Sequence, residues 1–236
     1  MKLFLETANL DEIREALSLG VLDGVSTSPA LATREKADFA DRLREICQVV
    51  KGPVSVEVVG VHLEEMLAGA HRVLGVAENV IVRLPTTKEG VKACKHLSSG
   101  GAMVHMTLCY QPAAALMAAK AGAAMVSPFV TSGPAPSSVA SIDADDDPEH
   151  DPDSPSLPPS EGQPTDHADD RRDRLIENVR MIFANYGMRT QIVAGGVRTA
   201  WQLARCAMAG ADAACVPFSM IEQLLRQPLT GDDRGY

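Results

Sequence analysis

Several polar residues each close a short apolar run: Glu6, Ser26-Thr27-Ser28, Glu57, Arg83, Thr107, Ser127 and the turn Gly195-Gly196-Val197-Arg198. Two carboxylates such as Glu6 and Glu57 can divide general acid–base work between them. A guanidinium holds an oxyanion through a planar fork of donors. A glycine pair ahead of a helix can offer backbone N–H groups to a phosphate, with Arg198 beside it. These residue types suit a small phosphorylated ligand held by Ser26, Gly195, Gly196 and Arg198. The histidines point elsewhere. His62, His71, His96, His150 and His167 fall on predicted helices or in a loop, without metal-ligand spacing, so no metal is expected. His105 lies two residues before Thr107, on the same strand face, and reads as a core histidine. Cys47, Cys94, Cys109, Cys206 and Cys215 form no CxxC pair and read as buried, reduced thiols of a cytoplasmic protein.

The elements that must position these groups repeat in a regular order. Strands are predicted at Lys2–Leu5, Gly24–Ser26, Val54–Val58, Val80–Leu84, Met103–Thr107, Met125–Pro128, Thr190–Ala194 and Ala213–Pro217. All are short and mostly apolar, as strands buried on both faces are. Helices are predicted at Leu10–Leu19 (with Asn9 as N-cap), Phe39–Val50, Leu63–Leu74, Lys88–Leu97, Pro112–Ala121, Arg172–Tyr186, Thr199–Ala209 and Ser219–Gln227. Gly20, Gly122, Gly187 and Gly210 stand where helix C-caps belong. Eight strand–helix units predict an α/β (β/α)8 TIM barrel. At about 24 residues per unit it is compact for that fold, whose lower size is roughly 200 residues. A doubly wound sheet would carry a glycine-rich turn after its first strand. This chain has Glu6-Thr7-Ala8-Asn9 there instead. In a barrel, residues at the C-terminal strand ends converge on one mouth, which gathers the polar set above.

Of 236 residues, 45% are hydrophobic and 22% charged, with a net charge of −9. Residues 131–170 carry eleven acids and no Lys or Arg, which leaves 20 acids against 22 bases elsewhere. The acidity therefore belongs to one Pro- and Ser-rich segment, which is expected to be a disordered loop inserted into a single barrel domain spanning 1–236. Its Asp143–Asp147 run lacks the central Gly and twelfth-position Glu of an EF-hand loop. No basic stripe points to nucleic acid, and no apolar run approaches a membrane span. Glu6 interrupts the N-terminus too early for a signal peptide.

The segments KLFLETANLDEIREAL, GVSTSPALA, GPVSVEVV, NVIVRLPTTKEGVKA, AAKAGAAMVSPFV, VAGGVRTAWQLARCAMAGAD and QLLRQPLT, in this order, resemble the small transaldolases and fructose-6-phosphate aldolases. That resemblance implies a (β/α)8 class I aldolase of carbohydrate metabolism in the pentose-phosphate branch. In that chemistry a strand-four lysine forms a Schiff base with a ketose phosphate, and a dihydroxyacetone unit is transferred or released without a cofactor. It further implies that Arg83, in IVRLP, stands at the lysine position. Glu6 falls where the family has aspartate, Ser28 where it has the asparagine that helps hold the substrate, and Gly196 where it has a serine of the phosphate turn. The arginine expected after SPFV is absent, because Thr131 follows Val130. Glu57, Thr107, Phe129 and the cation Arg198 match their family positions. The family's last helix packs on a neighbouring subunit. Here the chain ends six residues after Thr230, which weakens the expected homo-oligomer.

An arginine keeps its proton below about pH 12 and has no free amine to attack a carbonyl. Arg83 therefore cannot form the Schiff base. Lys88, Lys92 and Lys95 fall on the following helix, Lys120 ends another, and Lys2 lies at the opposite end of the barrel. Four readings follow. One is a transaldolase with an altered site, and another a sugar-phosphate-binding pseudoenzyme. The third is an acid–base isomerase using Glu6 and Glu57. The last is a scaffold whose acidic segment recruits a partner.

Overall fold

Runs such as Val54-Ser55-Val56 and Val80-Ile81-Val82 are buried at every position, so each strand needs cover on both sides. A closed parallel barrel supplies that cover, with side chains filling the lumen and helices outside. The structure, a computed structural model, describes residues 1–130 and 174–226. Strands β1 (Lys2–Glu6), β2 (Gly24–Thr27), β3 (Val54–Glu57), β4 (Val80–Pro85), β5 (Val104–Cys109), β6 (Met125–Pro128), β7 (Gln191–Ala194) and β8 (Ala213–Val216) pair in parallel, in chain order, and β8 closes onto β1. The helices are α1 (Leu10–Ser18), α2 (Pro29–Arg34), α3 (Phe39–Val49), α4 (Leu63–Leu74), α5 (Lys88–Ser99), α6 (Pro112–Lys120), α7 (Leu175–Asn185), α8 (Ala200–Met208) and α9 (Phe218–Leu225). The predicted TIM barrel is thus the observed fold. The acidic segment 131–170 lies outside the described residues.

Strand residues alternate between two cores. Leu5, Val25, Val56, Val82, Val126 and Ile192 pack outward under the helices. Phe4, Ile81, Met125, Val193, Ala213 and Cys215 form a separate cluster inside the barrel. This inner cluster ends one side-chain layer below the polar residues at the strand ends, so the barrel has an apolar floor beneath a polar mouth.

Local chemistry sets the helix ends. Asn9 Oδ1 accepts from the Asp11 and Glu12 amides at 2.9 and 3.3 Å, the predicted N-cap of α1. Gly20, Gly122, Gly187 and Gly210 all have positive φ, as their predicted C-cap role requires. Most element ends shift by one to three residues from expectation, and two differences stand out. Helix α2 is absent from the sequence-based prediction, and strand β5 runs to Cys109 rather than Thr107. The extension carries a register shift between Met106 and Cys109, with Leu108 at φ 61°.

Candidate active site

Glu57 and Arg83 end neighbouring strands and are register partners. Arg83 Nη2 donates to Glu57 Oε2 at 2.8 Å, and Nη1 donates to Ser26 Oγ on β2 at 2.6 Å. The Arg83 side chain is 12% exposed and that of Glu57 45%, so the guanidinium is the inner partner and the carboxylate faces the mouth. Two of the five guanidinium N–H groups are thereby engaged, and the buried Nε has no protein partner among the described residues. Such a group holds an oxyanion or polarises a carbonyl, but it does not add to one.

A second ion pair crosses the rim. Arg198 Nη1 lies 3.1 Å from Glu6 Oε2, joining the end of β1 to the turn after β7. That turn is bent by Gly196 at φ 76° and anchored by the fully buried Val197, which leaves Arg198 directed to solvent. The Gly195 N–H is donated to Pro128 O at 2.9 Å. The amides of Arg198 and Thr199 both donate to Gln202 Oε1, at 2.8 and 3.2 Å, within the capping box of α8. These three amides are therefore engaged by the protein itself. This corrects the expectation that the Gly195 N–H serves a phosphate, and leaves the Arg198 side chain as the cation offered at this turn.

The other predicted residues are placed as follows. Thr107 lies within the register shift of β5, and its carbonyl accepts from Thr86 N and Oγ1 at 2.9 and 2.8 Å. Phe129 packs against Tyr110 with ring centroids 5.7 Å apart and is bridged to Gly195 through the backbone. Ser28 is buried, and its Oγ accepts from Leu31 N at 3.2 Å, capping α2. Its hydroxyl already serves the fold.

Two groups in the lumen were expected as buried residues, and the structure adds their partners. Cys215 lies close enough to Arg83, Glu6 and Ser26 for each to act on its thiol. Burial nonetheless dominates and pushes the thiol up to about 11, so it is protonated and a poor nucleophile at neutral pH. Beneath Glu57, Ser55 Oγ meets His105 Nδ1 at 2.8 Å, and His105 Nε2 meets Ser127 Oγ at 2.7 Å. The expected core histidine is thus a fully buried bridge from β3 through β5 to β6.

Burial, and secondarily the charge of Arg83, push His105 from its ordinary value near 6.5 down to about 3. The imidazole is neutral in the folded protein, while the unfolded chain binds a proton there below about pH 6.5. Stability therefore falls as pH drops through that window towards 3. Urea unfolding of the native chain between pH 7 and 4.5 is expected to show one proton more of pH dependence than His105→Gln, about 1.4 kcal/mol per pH unit at full slope. Equal slopes for the two proteins would refute the neutral bridge.

With this geometry in view, comparison with known proteins decides the family. The family model described as Transaldolase/Fructose-6-phosphate aldolase matches residues 3–234. The chain belongs to the transaldolase/fructose-6-phosphate aldolase family. A probable transaldolase of Kosmotoga olearia is 39% identical over 235 residues, covering 100% of this chain and 92% of that protein. One from Chlorobium limicola is 39% identical, covering 98% of this chain and 93% of its own length. One from Dictyoglomus turgidum is 36% identical, with 98% and 92% covered. Among solved structures, "Native KDPGal structure" superposes with a TM-score of 0.55 at 15% identity, covering 91% of this chain and 82% of that one, which supports the fold alone. Two further features apply to the described residues of this family member. No three His, Cys, Asp or Glu side chains gather as a metal site, and no helix is long and apolar enough to cross a membrane.

Proposed function

We propose that this member of the transaldolase family binds ketose phosphates in the barrel mouth without Schiff-base turnover. The observation that carries the reading is Arg83 itself, a guanidinium pinned by Ser26 and Glu57 at the strand-four end, where the resemblance places the lysine. All seven lysines of the chain are exposed. They lie at the start of β1, in the turn after α2, ahead of β3, on α5 and at the end of α6. Arg198 is the cation for the phosphate. Glu57, Arg83, Thr107 and Ser26 line the place of the ketose carbonyl and hydroxyls.

The test is thermal unfolding with fructose 6-phosphate, run beside a dihydroxyacetone-transfer assay. At a ligand concentration of 100 times Kd, stabilisation is about 2.7 kcal/mol. The expected result is stabilisation that Arg198→Ala reduces, with no transfer product. Turnover of fructose 6-phosphate by the native chain, or no stabilisation at any concentration, overturns the reading.

The Glu57–Arg83 pair also favours a second reading. A half-exposed carboxylate beside a guanidinium can take the proton next to a carbonyl while the guanidinium holds the developing enolate oxygen. An aldose–ketose isomerase needs nothing more from the lysine position. Isomerisation abolished in Glu57→Gln would select this reading over simple binding.

A further inference from the structure

We infer that Glu6 is an internal competitor of the ligand's phosphate for Arg198, so that this ion pair weakens phosphate binding. The inference rests on the phosphate-binding role proposed for Arg198 and goes beyond it in setting how tightly, and for which ligands, the site closes. Three observations carry it. The Glu6 carboxylate lies 3.1 Å from Arg198 Nη1, although 192 residues separate them in the chain. The two side chains remain 30% and 50% exposed, so an incoming anion has access to both. Gly195 N–H is taken by Pro128 O, and the Arg198 and Thr199 amides are taken by Gln202. The Arg198 guanidinium is the charged group this turn offers a phosphate, and Glu6 already holds its Nη1. A phosphate that displaces Glu6 from Nη1 leaves it in the mouth as a free carboxylate.

The geometry also makes the chain length of the acid matter. Glu6 ends β1, where its register partner is Ser26 of the Arg83 cluster. An aspartate at this position is one methylene shorter and would keep the charge while losing contact with Arg198. The competition therefore depends on the glutamate and is graded between Asp and Gln.

Calorimetric titration of the native chain, Glu6→Gln and Glu6→Asp with inorganic phosphate, fructose 6-phosphate and unphosphorylated fructose tests this. The competing pair is half-exposed, so its removal in Glu6→Gln is expected to tighten phosphate and fructose 6-phosphate about two- to fivefold. Fructose affinity should stay unchanged, Glu6→Asp should fall between, and Glu6→Gln/Arg198→Ala should lose the gain. Unchanged or weaker phosphate binding in Glu6→Gln, together with loss in Arg198→Ala, overturns the competition while leaving the Arg198 site intact. Equal tightening of fructose overturns it too, because the effect is then not on the phosphate. Failure of both the native chain and Glu6→Gln to bind phosphate or fructose 6-phosphate overturns the Arg198 site and the competition together.

Discussion

Arg83→Lys is expected to give a covalent adduct with fructose 6-phosphate on borohydride treatment, read by intact mass, where the native chain gives none. The native result follows from the lysines, all seven of which are exposed. None shares the strand-four position, and a guanidinium offers no free amine to a carbonyl. A lysine at position 83 introduces the missing chemistry. The amine adds to the ketose carbonyl, water leaves, and hydride reduces the iminium to a stable secondary amine. Its environment pulls in two directions. Burial to the degree seen for Arg83 favours the neutral, nucleophilic amine, whereas Glu57 at ion-pair distance favours the ammonium. Adduct formation should therefore climb steeply with pH, by up to about tenfold per unit while the amine stays mostly protonated. Arg83→Gln, with no amine, should give nothing. An adduct on the native chain would mean that another lysine enters the mouth and would end the non-covalent reading. Absence of an adduct on Arg83→Lys at pH 9 would mean that Ser28, Glu6 or the turn at Gly196 has altered the ketose subsite as well.

The balance of charges in the mouth supports treating these residues as one unit. Arg83 pairs with Glu57, and Arg198 with Glu6, so the four groups cancel. An anion entering this site meets two cations that already have partners, and its affinity is the difference between two competitions rather than a free Coulomb gain. A single-site reading of any one of these residues therefore undercounts its coupling. Double variants such as Glu6→Gln with Glu57→Gln should depart from additivity more than pairs taken from opposite sides of the barrel.

Most of this architecture is readable from residue types alone, for definite physical reasons. Every strand is a short, mostly apolar run between turn signals, and every glycine assigned as a helix end has the positive φ that such a cap uses. Helix α2 was missed because it has only six residues, too few for a periodic apolar face. Its signal was nonetheless present, as Ser28 before Pro29 is an N-cap followed by proline at the first helical position. The same serine illustrates the limit at the site. Its family position suggested a ligand contact, and its hydroxyl is bound to Leu31 N instead. Arg83, Glu57 and Glu6 could be placed at the mouth because strand ends converge there. Their pairing could not be foreseen, since register and side-chain direction decide which of several charges meet. The Ser55–His105–Ser127 bridge was hidden for a related reason. Its members lie on three strands separated by 50 and 22 residues, and only closure of the barrel brings them together.

The frame that holds Arg83 has a steric weak point at Gly90, and Gly90→Ala is expected to be among the most destabilising single substitutions outside the two cores. Gly90 sits in the first turn of α5, where its amide donates to the N-cap hydroxyl of Thr87 at 3.1 Å. A Cβ built there falls 2.0 Å from the carbonyl oxygen of Pro85, the last residue of β4. That oxygen cannot swing aside cheaply, because it accepts from Thr87 N at 2.9 Å as the chain turns into the helix. Relief needs α5 to retreat from the strand by about an ångström, the scale of overpacking that costs roughly 1–3 kcal/mol or more. At about 2–4 °C per kcal/mol for a chain of this size, Gly90→Ala should melt some 5–10 °C below the native chain. Gly20→Ala separates packing from backbone strain. Gly20 has φ 70° with open space around its Cβ position, so only the left-handed cost of about 1–2 kcal/mol applies. Because Pro85 lies two residues beyond Arg83 on the same strand, Gly90→Ala should also loosen the Arg83–Glu57 contact and weaken ketose-phosphate binding, which Gly20→Ala should leave unchanged. A melting temperature for Gly90→Ala within about 1 °C of native would show that β4 and α5 can separate without cost, and that the end of β4 is not the rigid platform for Arg83 described above.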